Sequence, residues 1–305
     1  MERNKRNWCK GVLVLIAVLV AAVGLGAPLQ YAYGIWGLLY TELLILLVAV
    51  VAIIVLKIDY KDMLRLKMPR ARHLVAVVLM VVSGGIIAAT TGYVGFLFYP
   101  QGLEFIGVFM DISSATPPFI TWLIIAVSPA ICEEILHRGV ILYTFTHSEI
   151  KGKWTVIFWM GVVFGVFHLD PGRFVITGIL GMILAYIMLE TDNFLLPVLY
   201  HLLNNSTSTL SGLLSPTDAV DVGEGIATIV EQLPLIVGSF LILSAFALFV
   251  LRLGARLLGP RQSSLNEDEL AQLKAYRRKT RTLTVATSIA LVVLGIQLLG
   301  QASIY

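Results

Sequence analysis

Apolar residues in this chain fall into long unbroken runs separated by short polar or charged segments. A helix needs about 20 apolar residues to cross a bilayer. Stretches of that kind lie near 11–28, 35–56, 73–99, 119–146, 154–169, 173–190, 193–214, 230–256 and 282–300, the fifth and sixth being short. No internal repeat or soluble domain interrupts them. The pattern predicts an all-α fold, a polytopic transmembrane helix bundle of about eight or nine spans.

Composition agrees with the pattern. Hydrophobic residues make up 58% of the 305 positions and charged residues 13%, against roughly a quarter charged in soluble domains. The two cysteines, Cys9 and Cys132, are too far apart for a disulfide framework or a metal knuckle. The basic stretch Met1 to Lys10 precedes an apolar run longer than a cleaved signal normally carries, so it reads as an uncleaved anchor.

Charge placement orients the spans. With the N-terminus in the cytoplasm, residues 1–10 and the inner segments 57–72, 147–153 and 252–281 collect nearly all the Lys and Arg. The outer loops 100–118 and 215–229 hold Glu104, Asp111, Asp218, Asp221 and Glu224 and no basic residue. That is the positive-inside distribution. Trp36 and Trp122 fall at outer interfaces and Trp8 and Trp154 at inner ones, with Trp159 the exception. The expected localisation is integral and multi-pass, with the lipid bilayer as partner and no nucleic acid. Asn266 and Glu269 predict a capping box. It would open a linker helix over 264–281 on the inner leaflet.

Ionisable groups inside spans cost roughly 2.5–3.5 kcal/mol each, so they mark sites by default. The fourth span carries Glu133-Glu134-Ile135-Leu136-His137-Arg138, the fifth ends in Phe164-Gly165-Val166-Phe167-His168, and the seventh carries His201-Leu202-Leu203-Asn204-Asn205. Glu134 and Arg138 stand four apart and can pair on one face. Glu133 points about 100° away and is left for another role. His137 is four from Glu133 and reaches either towards it or towards the inner headgroups. At about 1.5 Å per residue, Glu133 and His168 lie about 20 Å from the cytoplasmic ends, and His201 and Asn205 about 12–18 Å. Three helices deliver Glu133, His168, His201 and Asn205 to a similar depth. Gly161 and Gly165 form a small-xxx-small pattern that packing explains.

At these residues the sequence resembles the CAAX protease and bacteriocin-processing family of intramembrane glutamate endopeptidases, Ras-converting type. Its motifs EExxxR, FxxxH and HxxxN read here as Glu133-Glu134 to Arg138, Phe164 to His168, and His201 to Asn205, complete and in order. The resemblance implies a helical bundle with a cavity towards the cytosol. It implies Glu133 as general base with His168 assisting, His201 and Asn205 lining an oxyanion hole, and Glu134 with Arg138 bracing the helix. No metal or cofactor is implied, and the partner is a peptide or protein substrate with or without a prenyl group. On this reading residues 1–305 form one membrane domain, with a catalytic core over 119–214 and accessory spans 11–56 and 282–300.

Other readings use the same residues. Glu133, His168 and His201 are a carboxylate and two imidazoles that suit a metal-dependent protease, although HExxH is absent. A non-proteolytic immunity or scaffold protein would use the bundle for binding. A proton-coupled transporter would use Glu133 but leave His201 and Asn205 unexplained.

Overall fold

A computed structural model describes residues 6–98, 116–214, 222–260 and 266–302, and among these there is no strand. The outer-loop acids expected at Glu104, Asp111, Asp218 and Asp221 lie outside the described residues. In chain order the helices are α1 Asn7–Tyr33, α2 Ile35–Val55 and the short α3 Tyr60–Leu64. There follow α4 Ala71–Phe98, α5 Pro118–Thr146, α6 Lys153–Phe167 and α7 Phe174–Thr191. The chain continues with α8 Leu195–Leu214, α9 Val222–Leu258 and α10 Glu267–Ala302.

Each of the nine predicted segments corresponds to a helix. Seven of the helices, α1, α2, α4, α5, α7, α9 and α10, are long and apolar enough over their described residues to cross a membrane. The other two depart for separate reasons. α6 is apolar but only 15 residues long, and α8 is interrupted by His201, Asn204 and Asn205. Large apolar side chains such as Leu13, Ile16, Leu47, Ile289 and Ile296 stay at least half exposed. Such faces suit lipid rather than water.

The helices sort into two compact units, a finer division than the single membrane domain expected from sequence. The first comprises residues 1–69 and 102–217, hence α1–α3 and α5–α8, and contains the whole 119–214 region. Its core joins Val14, Val18, Ile45 and Ala49 of the first two helices to Leu136, Val140 and Ile141 of α5 and Met160 of α6. Gly34, at φ 55°, makes the sharp turn between α1 and α2, a conformation glycine adopts without a Cβ clash. α6 and α7 meet at glycines. A Cβ on Gly161 would lie 2.7 Å from the Gly178 carbonyl oxygen, and one on Gly165 would lie 2.8 Å from that of Phe174. The small-residue pattern is thus a packing device.

One end of this unit gathers the polar termini. Asn7 Nδ2 donates to the His147 carbonyl at 2.9 Å, Lys153 pairs with Glu190, and Asp192 accepts from Arg65 and from Lys67 Nζ, the latter at 2.7 Å. Asn193 donates to the Lys67 carbonyl at 2.9 Å and accepts from the Leu195 amide at 3.1 Å, which starts α8. These are the helix ends that the charge count assigns to one side of the bilayer.

The second unit, residues 70–101 and 218–305, holds α4, α9 and α10. Thr90 of α4 and Ser244 of α9 share a 2.7 Å hydroxyl hydrogen bond. The predicted capping box is present: the Glu269 amide donates to Asn266 Oδ1 at 2.9 Å, and the Asn266 amide to Glu269 Oε2 at 3.0 Å. The linker helix expected to end at 281 does not end there. α10 runs on to Ala302, because no glycine or proline occurs between Glu267 and Gly295 to stop it.

Candidate active site

α5 is not a uniform α-helix. Leu123–Val127 and Ile135–Ile141 wind as π-helix on either side of the regular turn Ser128–Glu134. Such wider turns break the i+4 ladder and often accompany functional sites. Pro129 falls just after the first of them, where it has no amide to give.

Glu134 is fully buried, and its Oε1 accepts two hydrogen bonds. One comes from Arg138 Nη1 at 2.8 Å, the other from His201 Nδ1 at 2.8 Å. Arg138 is buried as well, donates through Nη2 to the Gly181 carbonyl at 3.3 Å, and lies 4.5 Å over the Phe164 ring. The expected Glu134–Arg138 pair is therefore present, and it is a triad rather than a pair, because His201 joins α8 to it.

Phe164, with no exposed surface, is the hub that the three motifs share. Its ring meets the imidazoles of His137, His168 and His201 edge-on, at centroid distances of 4.9, 4.8 and 6.0 Å. A phenyl ring offers a negative face to cations and a positive edge to neighbouring rings. One aromatic side chain thereby spaces three imidazoles and a guanidinium without consuming a hydrogen bond.

Each of these histidines has its Nδ1 engaged. His168 Nδ1 donates to the Phe164 carbonyl at 2.7 Å and His137 Nδ1 to that of Glu133 at 2.8 Å. A backbone carbonyl can only accept, so the proton sits on Nδ1 and a neutral ring presents a bare Nε2. His168, at the end of α6, is partly exposed, so its Nε2 can take a proton from something entering the site. His137 turns inward to backbone, not to the Glu133 carboxylate and not to the headgroups.

Glu133 is buried, and its Oε2 has no hydrogen-bond partner among the described residues. His201, Glu134, Arg138 and Arg173 all act on it electrostatically, and His201, Arg138 and exposed Arg173 also act on His168. Facing it is a residue the sequence reading passed over. Glu42 of α2 is buried and acts electrostatically on Glu133, and its Oε2 has no hydrogen-bond partner among the described residues. The signal was available, since Glu42 is the only acidic or basic residue in the 35–56 run.

Asn205 stands apart from this group. Its Nδ2 donates to the Ile125 carbonyl at 3.2 Å, in the first π-helical stretch, and its Oδ1 accepts from Asn204 at 3.2 Å. The structure thus brings His137, Arg138, His168 and His201 around Phe164, joins Glu134 to Arg138 and His201, and sets Asn205 one turn further along α8. Among the described residues no three of His, Cys, Asp and Glu are grouped as a metal ion would need.

Buried acids and imidazoles within a bundle of membrane-crossing helices define a multi-pass integral membrane protein with a buried acid–base cluster. Residues 115–207 match the family model of the Rce1-like type II CAAX prenyl endopeptidases. Over those residues the chain is similar to the CAAX protease and bacteriocin-processing family. No curated protein and no solved structure matches it.

Proposed function

We propose that the protein is an intramembrane endopeptidase in which Glu133 and His168 activate water. The observation that carries this reading is the contrast between neighbouring groups. Glu134 is ion-paired through Oε1 to Arg138 and His201, although its Oε2 has no hydrogen-bond partner among the described residues. Glu133 has no ion pair among the described residues, and its Oε2 and His168 Nε2 are left as proton acceptors. Water bound between them gives its proton to Glu133 as its oxygen attacks the peptide carbonyl carbon. The carbonyl π electrons move onto oxygen, and collapse of the tetrahedral intermediate breaks the C–N bond while Glu133 returns the proton to the leaving amine.

His201 is assigned to the developing oxyanion, and Asn205 to it through the Nδ2 hydrogen that its bond to the Ile125 carbonyl leaves free. Because His201 Nδ1–H is spent on Glu134, donation to an oxyanion falls to Nε2 and needs a second proton on the ring. Preset donors of this kind stabilise charge as it forms.

The substrate is a membrane-associated peptide or protein of CAAX type, cut near its C-terminus. Exposed Arg173, beside Glu133 and His168, suits the terminal carboxylate of such a chain. The N-terminus lies in the cytoplasm, as the distribution of basic residues requires. The direct experiment is proteolysis by the reconstituted protein on a prenylated CAAX peptide, the same peptide unmodified, and a C-terminal amide. Cleavage by the wild type and none by a well-folded Glu133→Ala is the expected result. Undiminished cleavage by Glu133→Ala refutes the assignment.

A further inference from the structure

α9 and α10 run antiparallel in a register that repeats every seven residues. Gly238 opposes Gly295, each glycine so close that an added Cβ would lie within 2.9 Å of the other's carbonyl oxygen. Seven residues on, Ser288 Oγ donates to the Ala245 carbonyl at 3.0 Å. Seven more bring Arg252 level with Arg281, and Arg252 Nη2 donates to the Arg277 carbonyl. A seam of small residues therefore ends in two facing guanidinium groups, with Arg256 one turn beyond Arg252 on the same face.

These arginines line a cavity of about 310 Å³ together with Phe249 and Leu253. Among the described residues no carboxylate forms an ion pair with any of the three. The nearest acid along α10, Glu269, is about 18 Å from Arg281 by helical rise. Arg252 Nη1 is buried with no hydrogen-bond partner. Like charges brought together at a packed seam repel unless an anion sits between them. The two apolar residues are exposed, Phe249 by 44% and Leu253 by 48%, and offer a surface for a hydrocarbon chain.

We propose that this cavity binds the phosphate of an anionic phospholipid, with Arg252, Arg256 and Arg281 holding the headgroup and Phe249 and Leu253 meeting its acyl chain. Guanidinium groups match phosphate oxygens in geometry as well as charge, and basic pockets between membrane helices take such headgroups. The exposed apolar wall favours a lipid over free phosphate, which would make no use of it.

The test is native mass spectrometry of the full-length protein in neutral detergent, with phosphatidylglycerol, phosphatidylcholine or inorganic phosphate added. Wild type is expected to retain phosphatidylglycerol in preference to phosphatidylcholine. Arg281→Gln, exposed and tolerant of replacement, should weaken retention about fivefold, as should Arg252→Gln. Arg278→Gln, which removes the same charge from an exposed position outside the cavity, should change nothing. Equal retention of the two lipids, unaltered retention in Arg281→Gln, or stabilisation by inorganic phosphate with none by phosphatidylglycerol would overturn the proposal. None of these readouts depends on proteolysis.

Discussion

Two places in this molecule put arginine into an apolar setting, and they treat it in opposite ways. Arg138 in α5 is closed off from solvent, paired to Glu134, bonded to the Gly181 carbonyl and covered by Phe164. Arg252 in α9 shares its cavity with Arg256 and Arg281, and no carboxylate among the described residues answers them. Desolvating a charge is costly unless geometry and hydrogen bonds compensate it. The first arginine finds its compensation within its own unit, which makes it structural. The second does not, which makes it a recruiter. The same reasoning separates Glu134 from Glu133 one residue away: the carboxylate ion-paired to Arg138 and His201 braces, and the one with no ion pair among the described residues is available for chemistry.

The largest effect expected from breaking this contrast is on Glu133. Glu133→Gln should lower peptide cleavage by about a thousandfold, the range of a lost general base, without loss of thermal stability. Glu134→Ala should cost about 3–5 kcal/mol in denaturant titrations, because it leaves Arg138 buried and unpaired. A double Glu134→Leu, Arg138→Met variant should recover much of that stability. It should remain inactive, since His201 loses the carboxylate that orients its ring. Recovery of activity along with stability would show that the triad is only a brace.

Packing comes next. Gly161→Val should destabilise the protein by about 1–3 kcal/mol through overpacking against Gly178, read as a lower melting temperature with residual cleavage kinetics unchanged. The smallest effect belongs to Asp192, at the polar end of the first unit. Partial burial works to raise its pKa, but hydrogen bonds from Lys67 and Arg65 outweigh that and hold the carboxyl below its usual range. Its contribution is therefore present above the ordinary aspartate range and is lost as pH falls through the lowered folded-state value. With side chains 37–55% exposed, Asp192→Asn should cost at most about 1 kcal/mol. That difference should shrink in high salt, unlike the Glu134 effect.

Much of this was legible in the sequence, and the exceptions have physical causes. Apolar run length identified the helices, i, i+4 spacing identified Glu134–Arg138, and Asn266 with Glu269 identified a cap. Helical arithmetic could not find the acceptors of His168 and His137, because these are backbone carbonyls that any sequence would provide. It could not give His201 to Glu134, which depends on how α8 lies against α5. It also assumed 3.6 residues per turn through Ile135–Ile141, where the helix is wider. Glu42 was different. The rule that singled out Glu133 applied to it equally, but with no motif around it a lone acid in a long apolar run drew no notice. α10 was divided at its change from polar to apolar, although a change of solvent does not end a helix.

The central claim, that adjacent Glu133 and Glu134 divide chemistry from support, is tested most directly by measuring turnover and melting temperature together on Glu133→Gln and Glu134→Gln. The account predicts a Glu133→Gln protein that melts like the wild type, or higher, and does not cleave, and a Glu134→Gln protein impaired in both. A Glu133→Gln protein that cleaves within about tenfold of the wild-type rate, against the far larger loss expected of a missing base, would contradict it.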